Sequence, residues 1–282
     1  MRTNDLYIAE TEHDNPGFSA QISTDSIEIP SLNNKDDNFL ISVIVPVYHE
    51  EKILESTLSV YTKELKSKFN YELIVSDGGS TDKTVEIARK YADKITIHTE
   101  ERKQTISEGR NKGAEIASGE VLVFINGDTV PAEPEKFFAY IEKWAKKEIH
   151  TDSKAIACKV DVSDIEKQLR DIIFYSLHNF YVRMLNLSGI GMGRGECQIV
   201  RKVDFKSIGG YNPNIAAGED FDLYHRLAKL GKIHFTRKIS VLESPRRFRR
   251  YGYIKIIYSW IVNSLSVMIS GKSVSKEWEA VR

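Results

Sequence analysis

From about residue 40 the chain alternates apolar runs with polar turns. Ile41-Ser42-Val43-Ile44-Val45-Pro46-Val47 reads as a strand buried on both faces, since parallel strands covered by helices show near-continuous aliphatic residues. Leu54, Leu58, Tyr61 and Leu65 follow at spacings of four, three and four, the period of one helix face. Glu72-Leu73-Ile74-Val75-Ser76 predicts a second strand that ends at Asp77-Gly78-Gly79. Ser80, Thr81 and Asp82 then supply N-cap types for a helix over 82–91. Ile95-Thr96-Ile97 is a short third strand, and 105–118 a helix with the small residues Gly109, Gly113, Ala114 and Ala117 on one face. Val121-Leu122-Val123-Phe124-Ile125 is a fourth strand, ending at Asn126-Gly127-Asp128, and a helix near 134–149 presents Phe138, Ile141, Ala145 and Ile149.

This alternation up to about residue 130 predicts an α/β fold with a doubly wound sheet. Such sheets bind ligands at the carboxyl ends of their strands, where strand order reverses. His49 and Glu50, Asp77, and Asn126 to Asp128 are therefore the first candidates. The second half is less regular. It offers a strand at 155–160, an aromatic-rich helix at 165–187, and a loop marked by Gly189, Gly191, Gly193 and Gly195. A short helix from Val203 to Tyr211 closes on Gly209-Gly210, and another runs from Glu219 to Leu230 with Gly231 as its stop.

Both ends differ in composition. Residues 1–38 hold eight acidic side chains against Arg2 and Lys35 and show poor periodicity, which predicts a mostly disordered acidic leader. The alternative is an arm that docks through Ile22, Ile27 and Ile29. At the other end, seven basic residues and one acidic residue, Glu243, fall between Arg237 and Lys255. Residues 251–270 then contain one charge, Lys255, and form two helical stripes. Ile254, Ile257, Ile261, Leu265 and Met268 mark the apolar one; Lys255, Ser259, Asn263, Ser266 and Ser270 mark the polar one. Such a segment either packs on the domain or lies on a membrane surface. The expected division is a leader at 1–38, a domain at 39–245 and a basic, amphipathic segment at 246–282.

Composition removes several function classes. Hydrophobic residues at 41% and charged residues at 28% can build a sizeable core. Forty basic and forty acidic side chains balance, which argues against a generally basic nucleic-acid binder. Two cysteines, Cys158 and Cys197, make neither a disulfide framework nor a cysteine-rich zinc site. The expected setting is cytoplasmic and reducing, with no secretory signal and no spanning helix.

The polar turns carry the chemistry. Asn126-Gly127-Asp128 places a carboxylate beside a glycine after an apolar strand, which suits a hard cation and a diphosphate; alone, such pairs are common turns. Asp77 can accept hydrogen bonds from a base or ribose, or simply cap a turn. Arg110 and Lys112 set two cations among small residues, useful to a diphosphate or merely solvated. Glu219, Asp220 and Asp222 open a helix, where the macrodipole favours them and where one could face a pocket as a general base. Arg246, Arg247 and Arg249 suit phosphate, of a nucleotide or of a lipid surface.

In this order and spacing the segments closely resemble the inverting, GT-A-fold glycosyltransferases of family 2. The first strand and turn through Glu51, Val75 to Asp82, Gly109-Arg110-Asn111-Lys112-Gly113-Ala114, Phe124 to Thr129, and Gly209-Gly210-Tyr211 with Gly218-Glu219-Asp220 carry the resemblance over roughly 40–250. It implies a GT-A, Rossmann-like mixed sheet and a nucleotide-sugar donor. Pro46, Tyr48, Glu50 and Asp77 would frame the base and ribose, and Arg110 would support the nucleotide or diphosphate. Asp128 would bind a divalent cation, Mg²⁺ or Mn²⁺, with Asn126 standing where the family carries the first Asp of Asp-x-Asp. Asp220 would be the base, with Glu219 beside it. The acceptor would be a glycan or a lipid-linked group, and the protein cytoplasmic or peripheral on the inner face of a membrane. Two alternatives remain. A sugar-phosphate nucleotidyltransferase would need a Gly-rich basic loop where His49-Glu50-Glu51 stand. A non-catalytic nucleotide-sugar-binding module has only Asn126 in its favour.

Overall fold

A computed structural model describes residues 40–163, 167–270 and 272–275. The acidic leader expected at 1–38 and the end of the chain from 276 lie outside those residues. The elements run in the order β1 (Ile41–Val47), α1 (Leu54–Leu58), α2 (Lys63–Lys68), β2 (Tyr71–Asp77), α3 (Thr84–Ala88), β3 (Lys94–Ile97), α4 (Ile106–Ile116), β4 (Val121–Ile125) and β5 (Thr129–Pro131). Then come α5 (Pro134–Ala145), β6 (Ser153–Val162), α6 (Leu169–Leu187), β7 (Cys197–Arg201), α7 (Lys202–Ser207), α8 (Glu219–Ala228), β8 (Lys232–Glu243), α9 (Arg246–Tyr251) and α10 (Tyr253–Ser270).

The strands make one eight-stranded mixed sheet in the order β3-β2-β1-β4-β7-β6-β8-β5. The half containing β1 to β4 is parallel, as the aliphatic runs predict. Antiparallel β7 then joins it to the parallel pair β6–β8, and β5 closes the edge antiparallel to β8. Alternate residues of each central strand feed two cores. Val43, Val45, Leu73 and Val123 face a layer of α1, α2, α3 and α5, joined by Phe174 of α6, Phe248 of α9 and Ile256 of α10. Ile44, Ile74, Leu122 and Phe124 face α4, α7 and α8.

Three departures from the sequence reading have physical causes. The helix expected through Leu54 and Leu65 is two helices, because the Thr62 side chain accepts the Leu65 N–H at 3.1 Å and starts α2 afresh. Strand β7 buries Gln198 between its apolar residues, which hides its signal. Strand β8 interleaves Lys, Arg and His with Ile233, Ile239 and Val241, and its register against β6 shifts between Cys158 and Lys159.

The small face of α4 sets how closely that helix lies on the sheet. A Cβ at Gly113 would collide with the buried Ile44 side chain of β1. Gly→Ala in an open helix stabilises by roughly 0.5–1 kcal/mol. Gly113→Ala should instead destabilise by about 1–3 kcal/mol, the range for overpacking a core. A urea denaturation midpoint above that of the parent protein would contradict this packing.

Candidate functional site

The strand order places β1 between β2 and β4, so Asp77 and Asp128 come to the same carboxyl edge from either side of it. The turns meet there. The His49 N–H donates to Ser80 Oγ at 2.8 Å, the Glu50 N–H to Thr84 Oγ1 at 2.8 Å, and the Thr81 N–H to His49 Nε2 at 3.0 Å. A Cβ at Gly127 would stand 3.6 Å from the Pro46 carbonyl and 3.8 Å from Glu50 Cγ. At Gly78 it would stand 3.4 Å from the Tyr48 ring. Pro46, Tyr48, Glu50 and Asp77 therefore line one edge.

Asp77 is buried and its two oxygens differ. Oδ1 accepts the Gly79 and Ser80 N–H groups at 2.9 and 2.8 Å. Oδ2 is buried and finds no hydrogen-bond partner among the described residues. An unsatisfied buried acceptor costs about 1–3 kcal/mol, which an N–H or O–H of a ligand would relieve.

Arg110 projects from α4 into the middle of the site and is almost fully buried. Its Nη1 donates to Glu219 Oε1 at 2.9 Å, and its Nη2 to Asn126 Oδ1 at 3.1 Å and to the Gly195 carbonyl at 2.8 Å. One guanidinium thus ties the turn after β4 to the start of α8. The side chain holds protein groups, whereas the sequence reading set it on a nucleotide or diphosphate. The same tie occupies Asn126, whose oxygen accepts from Arg110. Next along α4, Asn111 clamps the Tyr211 backbone, accepting its N–H and donating to its carbonyl, both at 2.9 Å.

Helix α8 begins at Gly218, whose φ of +87° a glycine accepts without strain. Glu219 turns to Arg110, and Asp222 turns away to Arg226 at 2.8 Å. Asp220 lies between them, with Oδ1 accepting the Phe221 N–H at 2.8 Å. Its Oδ2 sits 3.6 Å from where a Cβ on Gly195 would be. Burial first, and then the charge of Glu219, push the Asp220 carboxyl up to about 7, against the pull of the Phe221 N–H and Arg110. A carboxyl poised there is half ionised near neutrality, the condition that suits a general base.

Asp128 follows β4 and is about one-third exposed. Its Oδ2 lies 3.2 Å from Arg246 Nη2 of α9. Arg247 is half-buried, and the charges of Asp128, Glu196 and Glu243 act on it. Arg249 turns elsewhere, to Asp171 at 3.4 Å. Of the three arginines, Arg246 and Arg247 thus lie near Asp128, and Arg249 near Asp171 at the start of α6.

Sequence reading missed the group behind Asp128. Buried Arg194 donates to Glu196 at 3.0 and 3.1 Å and to Glu243 at 2.8 Å. Against the cost of burial, Arg194 holds Glu196 below the ordinary carboxylate range, while burial and the charge of Glu196 push Glu243 above it. The Glu196 carbonyl accepts the Asn126 N–H at 3.2 Å, so this network braces the turn that carries Asp128. Its sequence signal was a basic and an acidic residue alternating with glycines at Gly193-Arg194-Gly195-Glu196, with Glu243 alone among cations.

The donor set bears on a divalent cation. Among the described residues no group of three His, Cys, Asp or Glu could hold a metal by itself. Asp128 is nonetheless an open carboxylate that has drawn a guanidinium to itself. That fits Mg²⁺ or Mn²⁺ bound through one carboxylate together with a ligand's phosphate oxygens.

The model of glycosyl transferase family 2 matches residues 42–209. Glycosyltransferase AglE of Haloferax volcanii is 39% identical over 94 residues, 32% of this chain and 31% of that protein. Dolichyl-phosphate beta-glucosyltransferase of Dictyostelium discoideum is 31% identical over 185 residues, 58% of this chain and 55% of its own length. The chain thus spans from about a third to just over half of these relatives. Among solved structures, mannosyltransferase PcManGT of Pyrobaculum calidifontis, in complex with GDP-Man and Mn²⁺, matches 90% of this chain and 69% of its own. Its TM-score is 0.61 at 19% identity, a likeness of fold. The architecture is of the GT-A type, and since the family match spans more than half of the residues, from β1 to α7, the chain belongs to glycosyl transferase family 2.

Proposed function

We propose that the protein transfers a glycosyl unit from a nucleoside-diphosphate sugar to an acceptor hydroxyl or a lipid phosphate, with inversion. The observation that carries this reading is the link made by Arg110, which joins an open metal-type carboxylate turn to a carboxyl poised near 7. Asp77 Oδ2, with Pro46, Tyr48 and Glu50 around it, would take the base and ribose. Asp128 would hold Mg²⁺ or Mn²⁺ against the diphosphate, and that cation, when bound, neutralises charge on the departing nucleoside diphosphate. Arg246 and Arg247 stand where they can turn to the same phosphates. Asp220 takes the proton of an acceptor hydroxyl as its oxygen bonds to the anomeric carbon. The bond to the diphosphate breaks on the opposite face, so the configuration inverts in one displacement. A lipid-linked acceptor and a peripheral position on the inner face of a membrane belong to this reading. The complex of PcManGT with GDP-Man and Mn²⁺ and the dolichyl-phosphate enzyme among the relatives support its chemistry.

Calorimetry with nucleoside diphosphates and their sugars, with and without Mn²⁺, tests the proposal. A fitting donor at about 100 times its dissociation constant adds roughly 2.7 kcal/mol of stability. Asp128→Asn should remove the Mn²⁺-dependent part of the affinity, roughly ten- to a hundredfold, as loss of a charged contact predicts. Asn126→Ala should do less, since its oxygen serves Arg110. If the parent protein binds no nucleotide with Mn²⁺, or if both changes weaken binding equally, the assignment fails.

A further inference from the structure

Helix α6 buries three polar side chains and exposes a row of apolar ones. Its inward face carries Phe174, Tyr175 and Val182 and, between them, Asp171, Asn179 and Asn186, all buried. Each is satisfied: Asp171 by the Gln168 N–H and Tyr253, Asn179 by both backbone groups of Val160, and Asn186 by both of Met192. Its outward face carries Leu169, Ile172, Ile173, Leu177, Phe180 and Met184, which stand 46–73% exposed. An ordinary surface helix turns polar residues outward.

Helix α10 meets α6 through aromatic side chains and also exposes apolar residues. His178 and Phe174 of α6 meet the Trp260 ring of α10 at 4.9 and 6.3 Å between centroids. Asn263 and Val267 of α10 are buried, whereas Ile254, Tyr258 and Ile261 stand 49–85% exposed. The apolar stripe of residues 251–270 thus points outward wherever its side chains are described. Phe174 and His178 of α6 against Tyr253 and Trp260 of α10 link the two helices, and each helix carries an exposed apolar row of the kind that marks an interaction surface.

The exposed charges on the two helices have one sign. Arg170, Arg183 and Lys255 are exposed on the two helices, whose only acidic residue is the buried Asp171. Exposed Tyr181 and Tyr258 add rings of the kind that sit at the level of lipid head groups. Apolar side chains, interfacial tyrosines and solely basic charge fit an anionic lipid surface.

We propose that the outward faces of α6 and α10 form one surface that seats on an anionic bilayer. The face adjoins the site. Helix α9 leads from Asp128 into α10, and Val267 of α10 packs on Ile215 and Phe221 at the start of α8, next to Asp220. A lipid-linked acceptor lying in the head-group layer would therefore enter beside the base, a step that rests on the transferase reading above; the seating itself does not.

Co-sedimentation of the full chain with phosphatidylcholine vesicles, with and without about one quarter phosphatidylglycerol, tests this. The parent protein should pellet with the anionic vesicles and much less with neutral ones. Leu177→Glu with Phe180→Glu on α6, and separately Ile254→Glu with Ile261→Glu on α10, should each cut the partition by at least about tenfold. Nucleotide binding with Mn²⁺, measured on the same variants, should match the parent, which separates loss of seating from loss of fold. A parent that stays in the supernatant overturns the proposal. So does loss confined to the α10 pair, since α6 would then take no part. Sedimentation velocity showing a dimer that the α6 pair abolishes would assign the face to a second copy of the chain instead. Failure of the transferase reading shows separately, as absent nucleotide binding in a protein that still pellets.

Discussion

Asp220→Asn should lower turnover by about 10²–10⁴, the usual loss when a positioned base is removed. That is roughly 2.7–5.5 kcal/mol of barrier. The substitution keeps size and the Phe221 N–H contact, so the start of α8 should hold its shape. Donor affinity should change little, because the base acts on the acceptor. Asp222→Asn should be mild, since Asp222 only pairs with Arg226 on its own helix. The size of the effect also reads the acceptor. A hydroxyl needs a base, whereas an acceptor phosphate with a second pKa near 6 is largely ionised at neutral pH. Near-normal turnover after both Asp220→Asn and Glu219→Gln would mean that the acceptor arrives ionised. Near-normal turnover after Asp220→Asn alone, with a large loss at Glu219→Gln, would move the base to Glu219.

The pH profile gives an independent sign. Asp220 acts in its ionised form, so kcat/KM should fall about tenfold per unit below about 7 and level off above it. Glu219 raises that carboxyl by repulsion. Glu219→Gln removes the repulsion and frees the guanidinium of Arg110, so the rising limb should move to lower pH. A limb that stays in place would detach Asp220 from the rate-controlling proton transfer.

What the sequence disclosed follows from how each residue works. Asp77, Asn126 and Asp128 stood out because short polar turns end buried parallel strands, and the topology then gathers them on one edge. Asp220 stood out by its place at a helix start. Arg194, Glu196 and Glu243 did not, because the loop before β7 meets the end of β8 only in three dimensions, and the polar residues of both strands conceal their periodicity. The arginines of α9 were legible as phosphate-seeking cations, but one-dimensional spacing could not separate Arg246 on Asp128 from Arg249 on Asp171. The stripes of α10 were legible too. Which one faces the protein depends on the buried Asn263, whose amide donates to the Ser259 carbonyl at 2.8 Å and whose oxygen accepts the Ser275 N–H at 3.0 Å.

Arg110→Met should destabilise the fold by about 3–5 kcal/mol, the cost of removing one partner of a buried ion pair. Glu219 would lose its buried counter-charge with little water to replace it, and Asn126 Oδ1 and the Gly195 carbonyl would each lose a donor. Arg110→Lys should recover only part of the loss, because a single ammonium cannot span all three acceptors as the fork does. The double variant Arg110→Met with Glu219→Gln should be more stable than Arg110→Met alone, since the stranded charge is gone. Residues in direct contact couple by about 0.5–3 kcal/mol in such a cycle. The catalytic readout should move oppositely to that of Glu219→Gln. Without the Arg110 cation the Asp220 carboxyl rises further, so the rising limb of kcat/KM shifts to higher pH. Urea unfolding and the pH profile of the four proteins decide the matter. If Arg110→Met costs under about 1 kcal/mol, less than a single exposed ion pair can contribute, the guanidinium does not hold the two halves of the site together.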